Sequence, residues 1–179
     1  VDHRDLHKIA RRQRQMCIRD SYIRYPSDWT KVEAAAKTWI VLENEHSNII
    51  VTMNPTITIY NILYLEELVQ WWYSIKGDSK YTLVFNHATW PAYVDKFLLP
   101  EKQLNKLIPI YEKYLTSDGD LKLNMKRLIV NLKNPSYTDS SLQEFYDYTK
   151  ELDKLRKQNF EETLPELFEM VKPYINLIT

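Results

Sequence analysis

Cysteine is nearly absent from this 179-residue chain, occurring once, at position 17. A single thiol excludes an internal disulfide, and it excludes a zinc or iron–sulfur site built from cysteines of this chain. Glycine occurs twice, as Gly77 and Gly119, which leaves no room for a phosphate-cradling loop of the GxGxxG or GxxxxGKS kind. No apolar run approaches the roughly 18 residues that a membrane-spanning helix needs. Charge of one sign is not in excess either. The 24 basic residues balance 24 acidic ones, which excludes the broad positive field of a nucleic-acid coat. What is present is ordinary for a folded protein: 44% apolar and 27% charged residues, in a length sufficient for one domain with a substantial core or two very small ones.

The first twenty residues differ in kind from the rest. Arg11 to Asp20 has no apolar period and is crowded with arginine, and it lacks the opposed basic and apolar faces of a targeting helix. Back-translated, it resembles the transposon end of a sequencing-library adapter. Asp2 to His7 resembles the flow-cell primer upstream in the same frame, with Lys8, Ile9 and Ala10 in the place of a variable index. On this reading residues 1–21 are translated adapter, and Cys17, His3 and His7 carry no chemistry. Without residues 1–20 the chain has 18 basic and 21 acidic residues, and the native frame enters near Ser21 or Tyr22. The chain is then expected to be a fragment whose missing parts lie upstream.

From Tyr22 the pattern becomes regular. Ser27 or Asp28 can cap a helix over about 28–43 with Val32, Ala35, Ala36, Trp39 and Ile40 inward. Ile49 to Met53 has the length and β-branching of a covered strand, and Pro55 should end it. Asn61 can cap a second helix carrying Ile62, Leu65, Leu68, Val69, Trp72 and Ile75 on one face, closed by Gly77. Of Trp71 and Trp72, one should face the core while the other is partly exposed or packs on the C-terminal helices. Lys80 to Asn86 is the second strand expected, and this order of helices and strands describes α/β crossover units with a parallel sheet. After Pro100 the pattern is helical, with Pro109 inside the first helix, a turn at Asp118 to Asp120, and a helix over Leu121–Leu132. A capping box at Ser140 or Ser141 opens a long helix, and Pro165 suits the first turn of a last one.

His87 directly follows the second expected strand, where parallel α/β sheets place their ligands; a bond to a loop carbonyl would explain it as well. Thr52, Asn54, Thr56 and Asn61 cluster at the matching end of the first, where short polar side chains could read a ligand, although turn and cap roles account equally for Asn54 and Asn61. Arg24 could bind a carboxylate or simply be a surface arginine. The charge run from Lys150 to Lys157 reads as a solvated helix face. Asp118 and Asp120 lack the further acidic positions of a calcium loop. GxSxG and HExxH are absent.

Residues 22–179 resemble the C-terminal part of radical S-adenosylmethionine proteins of the twitch-domain-containing group. The residues that carry the resemblance are Tyr22-Ile23-Arg24-Tyr25-Pro26 with Trp29 and Val32, then Pro55 to Asn61, then Trp71-Trp72. Asn86-His87-Ala88-Thr89-Trp90-Pro91 and Leu98-Leu99-Pro100 follow, and Leu152 to Arg156, Asn159-Phe160 and Thr163 to Leu167 close the match. The resemblance implies an α/β fold: the C-terminal part of a partial (β/α) barrel over 22–100 and a mostly helical extension over 101–179. It implies a cytoplasmic parent enzyme that uses S-adenosylmethionine, one [4Fe-4S] cluster and an electron donor. Reductive cleavage there gives a 5′-deoxyadenosyl radical that abstracts a substrate hydrogen. The family's CxxxCxxC loop is missing from this chain, so it is expected to ligate no cluster and to be inactive alone. By resemblance, Thr52, Asn54, Asn86 and His87 border the cofactor and substrate, and Arg24 meets the cofactor carboxylate. The substrate, a peptide or a small molecule, is not legible, and neither nucleic acid nor membrane is expected as a partner. The rival reading is a non-catalytic α/β recognition domain that binds a peptide or protein.

Overall fold

Apolar residues at helical spacing dominate the sequence, and the chain follows them in its computed structural model, which describes residues 18–77, 83–95, 98–117, 119–133 and 139–176. These fall into two compact units. One combines the described part of 1–51 with 64–77, the other 52–63 with the described part of 79–179. His3, His7 and Cys17, Lys80 to Thr82 of the second expected strand, Asp118 of the expected turn and the side chain of Ser140 lie outside the described residues.

In the first unit, residues 18–23 are helical and α1 spans Trp29–Glu45. Asp28 is its N-cap: Oδ1 accepts the Thr30 N–H at 3.0 Å and the Thr30 hydroxyl at 2.6 Å. Trp29 and Ile40, three turns apart on one face, are the buried residues of α1, whereas Trp39 is exposed. The expected stripe is therefore corrected by a rotation, and Trp71 is the reason. Trp71 meets Trp29 edge-on, with ring centroids 4.7 Å apart, which turns the Trp29 face inward.

A turn of 3₁₀ helix, Ile62–Tyr64, leads into α2, Leu65–Lys76. Leu65, Val69 and Trp72 share its buried face, and Trp71 is buried beside them, so neither tryptophan is exposed. Gly77, at φ +73°, ends the helix in a conformation that side chains other than glycine's resist, and its N–H reaches the Tyr73 carbonyl at 3.0 Å. Lys76 is buried and pairs with Glu43 at the far end of α1. The second oxygen of Glu43 accepts the Val51 N–H at 3.1 Å. Burial pulls the Lys76 ammonium below the ordinary lysine range.

The second unit holds both strands, β1 (Thr56–Ile57) and β2 (Asn86–His87), which pair in parallel as Thr56↔Asn86 and Ile57↔His87, with one further bridge at Met53↔Leu83. Its helices are α3 (Glu101–Glu112), α4 (Gly119–Leu132), α5 (Asp139–Arg156), α6 (Phe160–Thr163) and α7 (Pro165–Val171). Pro109 sits inside α3, which tightens into a 3₁₀ turn at Lys113–Thr116. Asn159 caps α6 by accepting the Glu161 N–H, and Pro165 occupies the first turn of α7. Phe145, Phe160 and Phe168 form an edge-to-face cluster joining α5, α6 and α7. The Tyr60 hydroxyl meets Thr149 Oγ1 at 2.6 Å, tying the end of β1 to α5, and burial pushes the Tyr60 phenol far above its usual range. Among the described residues no helix is long and apolar enough to cross a membrane.

The expected partial (β/α) barrel is not what the chain forms. The described residues are mostly helical, with two strands of two residues each and no barrel. Two local reasons are visible. Ile49 to Thr52 stays outside the ladder, because the Val51 N–H goes to the Glu43 carboxylate while Ile50 is exposed to water. On the other side of β2, a helix side chain occupies the position where a further strand would pair, as set out below.

The Asp28 cap has a pH signature. Hydrogen bonds from the Thr30 hydroxyl and then the Thr30 N–H hold its carboxyl below the ordinary aspartate value of 3.8. A folded pKa below the unfolded one stabilises the fold above that value, and the gain is lost as pH falls through the folded pKa. Asp28→Ala is expected to lower the melting temperature at neutral pH, with the gap narrowing as pH drops below 3.8. Thermal melts followed by circular dichroism check this, and a gap that persists undiminished in acid would assign the loss to something other than the carboxylate.

Candidate functional site

Alternation along the strands decides which side chains share a face. Thr52, Asn54 and Thr56 are exposed along β1 and its lead-in, while Met53, Pro55 and Ile57 alternate with them and are half-buried or buried. Along the partner segment Val84 and Asn86 are exposed, and Leu83 and Phe85 are buried. Register places Asn86 beside Thr56. One face of the strand pair therefore presents hydroxyls and amides to solvent, and the other joins the apolar core.

His87 pairs in register with Ile57, so it belongs to the opposite side from Asn86 and is half-buried there. The structure thus puts Thr52, Asn54 and Asn86 on one exposed side, with Thr52 and Asn54 on the lead-in to β1 and not at the carboxyl end of a strand as expected, and sets His87 apart from them. Arg24 lies in the first unit, where its Nε donates to Asp20 Oδ1 at 2.8 Å and its guanidinium forms an ion pair with that carboxylate. Burial raises the Asp20 carboxyl pKa, against the downward pull of Arg24. Asn61 is not the cap of α2. Its Oδ1 accepts the Thr58 N–H at 2.8 Å and its Nδ2 donates to the Thr56 carbonyl at 2.9 Å, which closes the turn that ends β1.

The residue that sequence reasoning missed is Asn124. It is buried on the core stripe of α4 with Leu121, Met125 and Leu128. Its Oδ1 accepts the Phe85 N–H at 3.0 Å, and its Nδ2 donates to the Leu83 carbonyl at 2.9 Å and to the Asp120 carbonyl at 2.7 Å. Both amide protons and the carbonyl oxygen are thereby used, and the open side of residues 83–85 is satisfied. The available signal was an asparagine at an apolar position of an amphipathic helix, since a buried amide needs partners.

Between β2 and α4 lies a cleft of about 450 Å³ whose lining includes His87, Asn124, Lys126 and Arg127. The exposed polar face can donate and accept hydrogen bonds. Among the described residues no group of three His, Cys, Asp or Glu side chains is placed to hold a metal ion.

Asn124→Ala would leave the Phe85 N–H and the Leu83 carbonyl buried without these partners. The expected cost is about 3 kcal/mol of unfolding free energy, at roughly 1–3 kcal/mol per unsatisfied group. Urea denaturation measures it, and a loss within about 0.5 kcal/mol, the range of ordinary surface substitutions, would contradict the role assigned to Asn124. No family model, curated protein or solved structure matches the chain.

Proposed function

We propose that this chain is the C-terminal part of a cytoplasmic radical S-adenosylmethionine enzyme, with the exposed polar face of the strand pair turned toward cofactor and substrate. One observation carries the reading: Thr52, Asn54, Thr56 and Asn86 share one solvent-facing side of the parallel strand pair and its lead-in. Thr52 and Asn54 stand on the lead-in to β1, and Thr56 and Asn86 pair in register within the strands. The motif resemblance in Pro55 to Asn61 and Asn86 to Pro91 includes Thr56 and Asn86 of this group.

The residues present suit one of the two groups such an enzyme needs. Threonine hydroxyls and asparagine amides both donate and accept, which matches the edges of an adenine and the hydroxyls of a ribose. Thr52, Asn54 and Asn86 would hold that part of S-adenosylmethionine. Hydrogen abstraction in the parent comes from reductive cleavage of this cofactor. The residues of this chain do not fit the cluster, which takes three thiolates where the sequence has one cysteine, so those ligands belong to another part of the parent. Arg24 already pairs with Asp20, inside the adapter-like segment, and is free for a cofactor carboxylate in a protein that lacks that segment.

The second reading, a recognition domain for a peptide or protein, draws on Trp90. Its side chain is 85% exposed, three residues after β2 and three before Tyr93, which pairs its ring with Tyr148. Exposed aromatic groups of this kind anchor partners.

Recovering the coding sequence upstream of Tyr22 separates the two. The radical enzyme requires an in-frame CxxxCxxC loop there, and a cysteine-free upstream domain would contradict it. In the longer protein, with its cluster reconstituted, Asn54→Ala and Asn86→Ala are each expected to lower the rate of S-adenosylmethionine cleavage about tenfold, near 1.4 kcal/mol. Unchanged rates in both would move the site elsewhere.

A further inference from the structure

We infer that the cleft between β2 and α4 binds a small organic anion, a carboxylate or phosphate carried on an apolar body. It lies along the α4 edge of the strand pair, and none of Thr52, Asn54, Thr56 and Asn86 lines it, so the proposal does not rest on those residues or on the radical-enzyme reading. Three features of the walls point to this ligand.

The first is charge. Lys126 and Arg127 follow one another on α4, and both are exposed and line the cleft. Among the described residues no carboxylate lines it and neither cation forms an ion pair. Two adjacent cations repel, and an anion shared between them removes that repulsion while gaining charge-assisted hydrogen bonds from the lysine ammonium and the guanidinium fork.

The second is apolar surface beside those charges. Leu123 and Val130 flank the two cations on the same side of α4, one turn before and one turn after, and Val84 faces them from the strand segment. All three are among the exposed large apolar side chains, so a ligand body seated there removes hydrocarbon from water. The Asn131 amide adds a donor at the rim.

The third concerns the strand edge, and it separates a small molecule from an extended peptide. A peptide adding as a strand needs free backbone groups on β2 and its lead-in. At Leu83 and Phe85 those groups are already bonded to Asn124. The volume, about 450 Å³, lies within the range of small-molecule sites, roughly 300–1,000 Å³.

The test uses the full chain, ¹⁵N-labelled, titrated in separate experiments with octanoate, phenyl phosphate and octyltrimethylammonium. The proposal expects at least one anion to shift the amides of Val84, His87 and the stretch 123–131, while the cation with the same tail does not. Octanoate alone assigns a carboxylate head group, and phenyl phosphate alone assigns a phosphate. Lys126→Glu with Arg127→Glu should weaken binding about tenfold or more. If that variant loses its helical circular dichroism, Lys126→Gln with Arg127→Gln replaces it with the same expectation. Equal binding of octyltrimethylammonium, undiminished affinity in the folded variant, shifts outside the cleft, or silence from both anions would each overturn the proposal.

Discussion

The side-chain amide of Asn124 takes the place that a neighbouring strand would occupy beside residues 83–85, and much of the second unit's chemistry depends on that substitution. A strand edge left open inside a protein carries unpaired N–H and C=O groups, and a chain usually meets that demand with more backbone. Here one asparagine on a helix meets it with three hydrogen bonds, two to the strand segment and one to its own helix. On that side the sheet ends, and a helix follows where a (β/α) barrel would continue with a strand.

Two distinct surfaces follow from this closure. Pinning α4 at the edge of β2 sets Lys126, Arg127 and Val130 beside Val84 and creates the cleft. The pleat leaves Thr52, Asn54, Thr56 and Asn86 on the exposed polar side, away from the core and from His87. One surface combines positive charge with hydrocarbon, and the other is neutral and rich in hydrogen-bonding groups. They suit different ligands, so a loss of function at one need not be felt at the other.

Helices were legible from the sequence because their period is local. The 29–45 and 65–76 helices, the Asp28 cap, the positive φ of Gly77 and the place of Pro165 all follow from residues within a turn or two of each other. What depends on distant partners was misread. Both tryptophans are buried because Trp71 finds Trp29, 42 positions earlier in the sequence, and that contact also leaves Trp39 in water. The run from Ile49 to Met53 looked like a strand by composition, but only Met53 pairs, with Leu83, while the Val51 N–H takes a carboxylate instead. Thr52 and Asn54 were expected at the carboxyl end of a strand, but β1 begins only at Thr56, and what they share with Asn86 is an exposed side set by the pleat. The separation of His87 from them needed the pleat, and Asn124 could be read only once its partners 39 and 41 residues away were known.

Hydrogen exchange on the intact chain tests the central claim most directly. Val84 and Asn86 donate toward the β1 segment, to the carbonyls of Met53 and Pro55, and Phe85 donates the other way, to Asn124. The account predicts that the Phe85 amide is protected at least as strongly as its two neighbours, since each of the three N–H groups is held in a hydrogen bond and that of Phe85 is buried. A Phe85 amide that exchanges like an open strand edge, while Val84 and Asn86 stay protected, would contradict it.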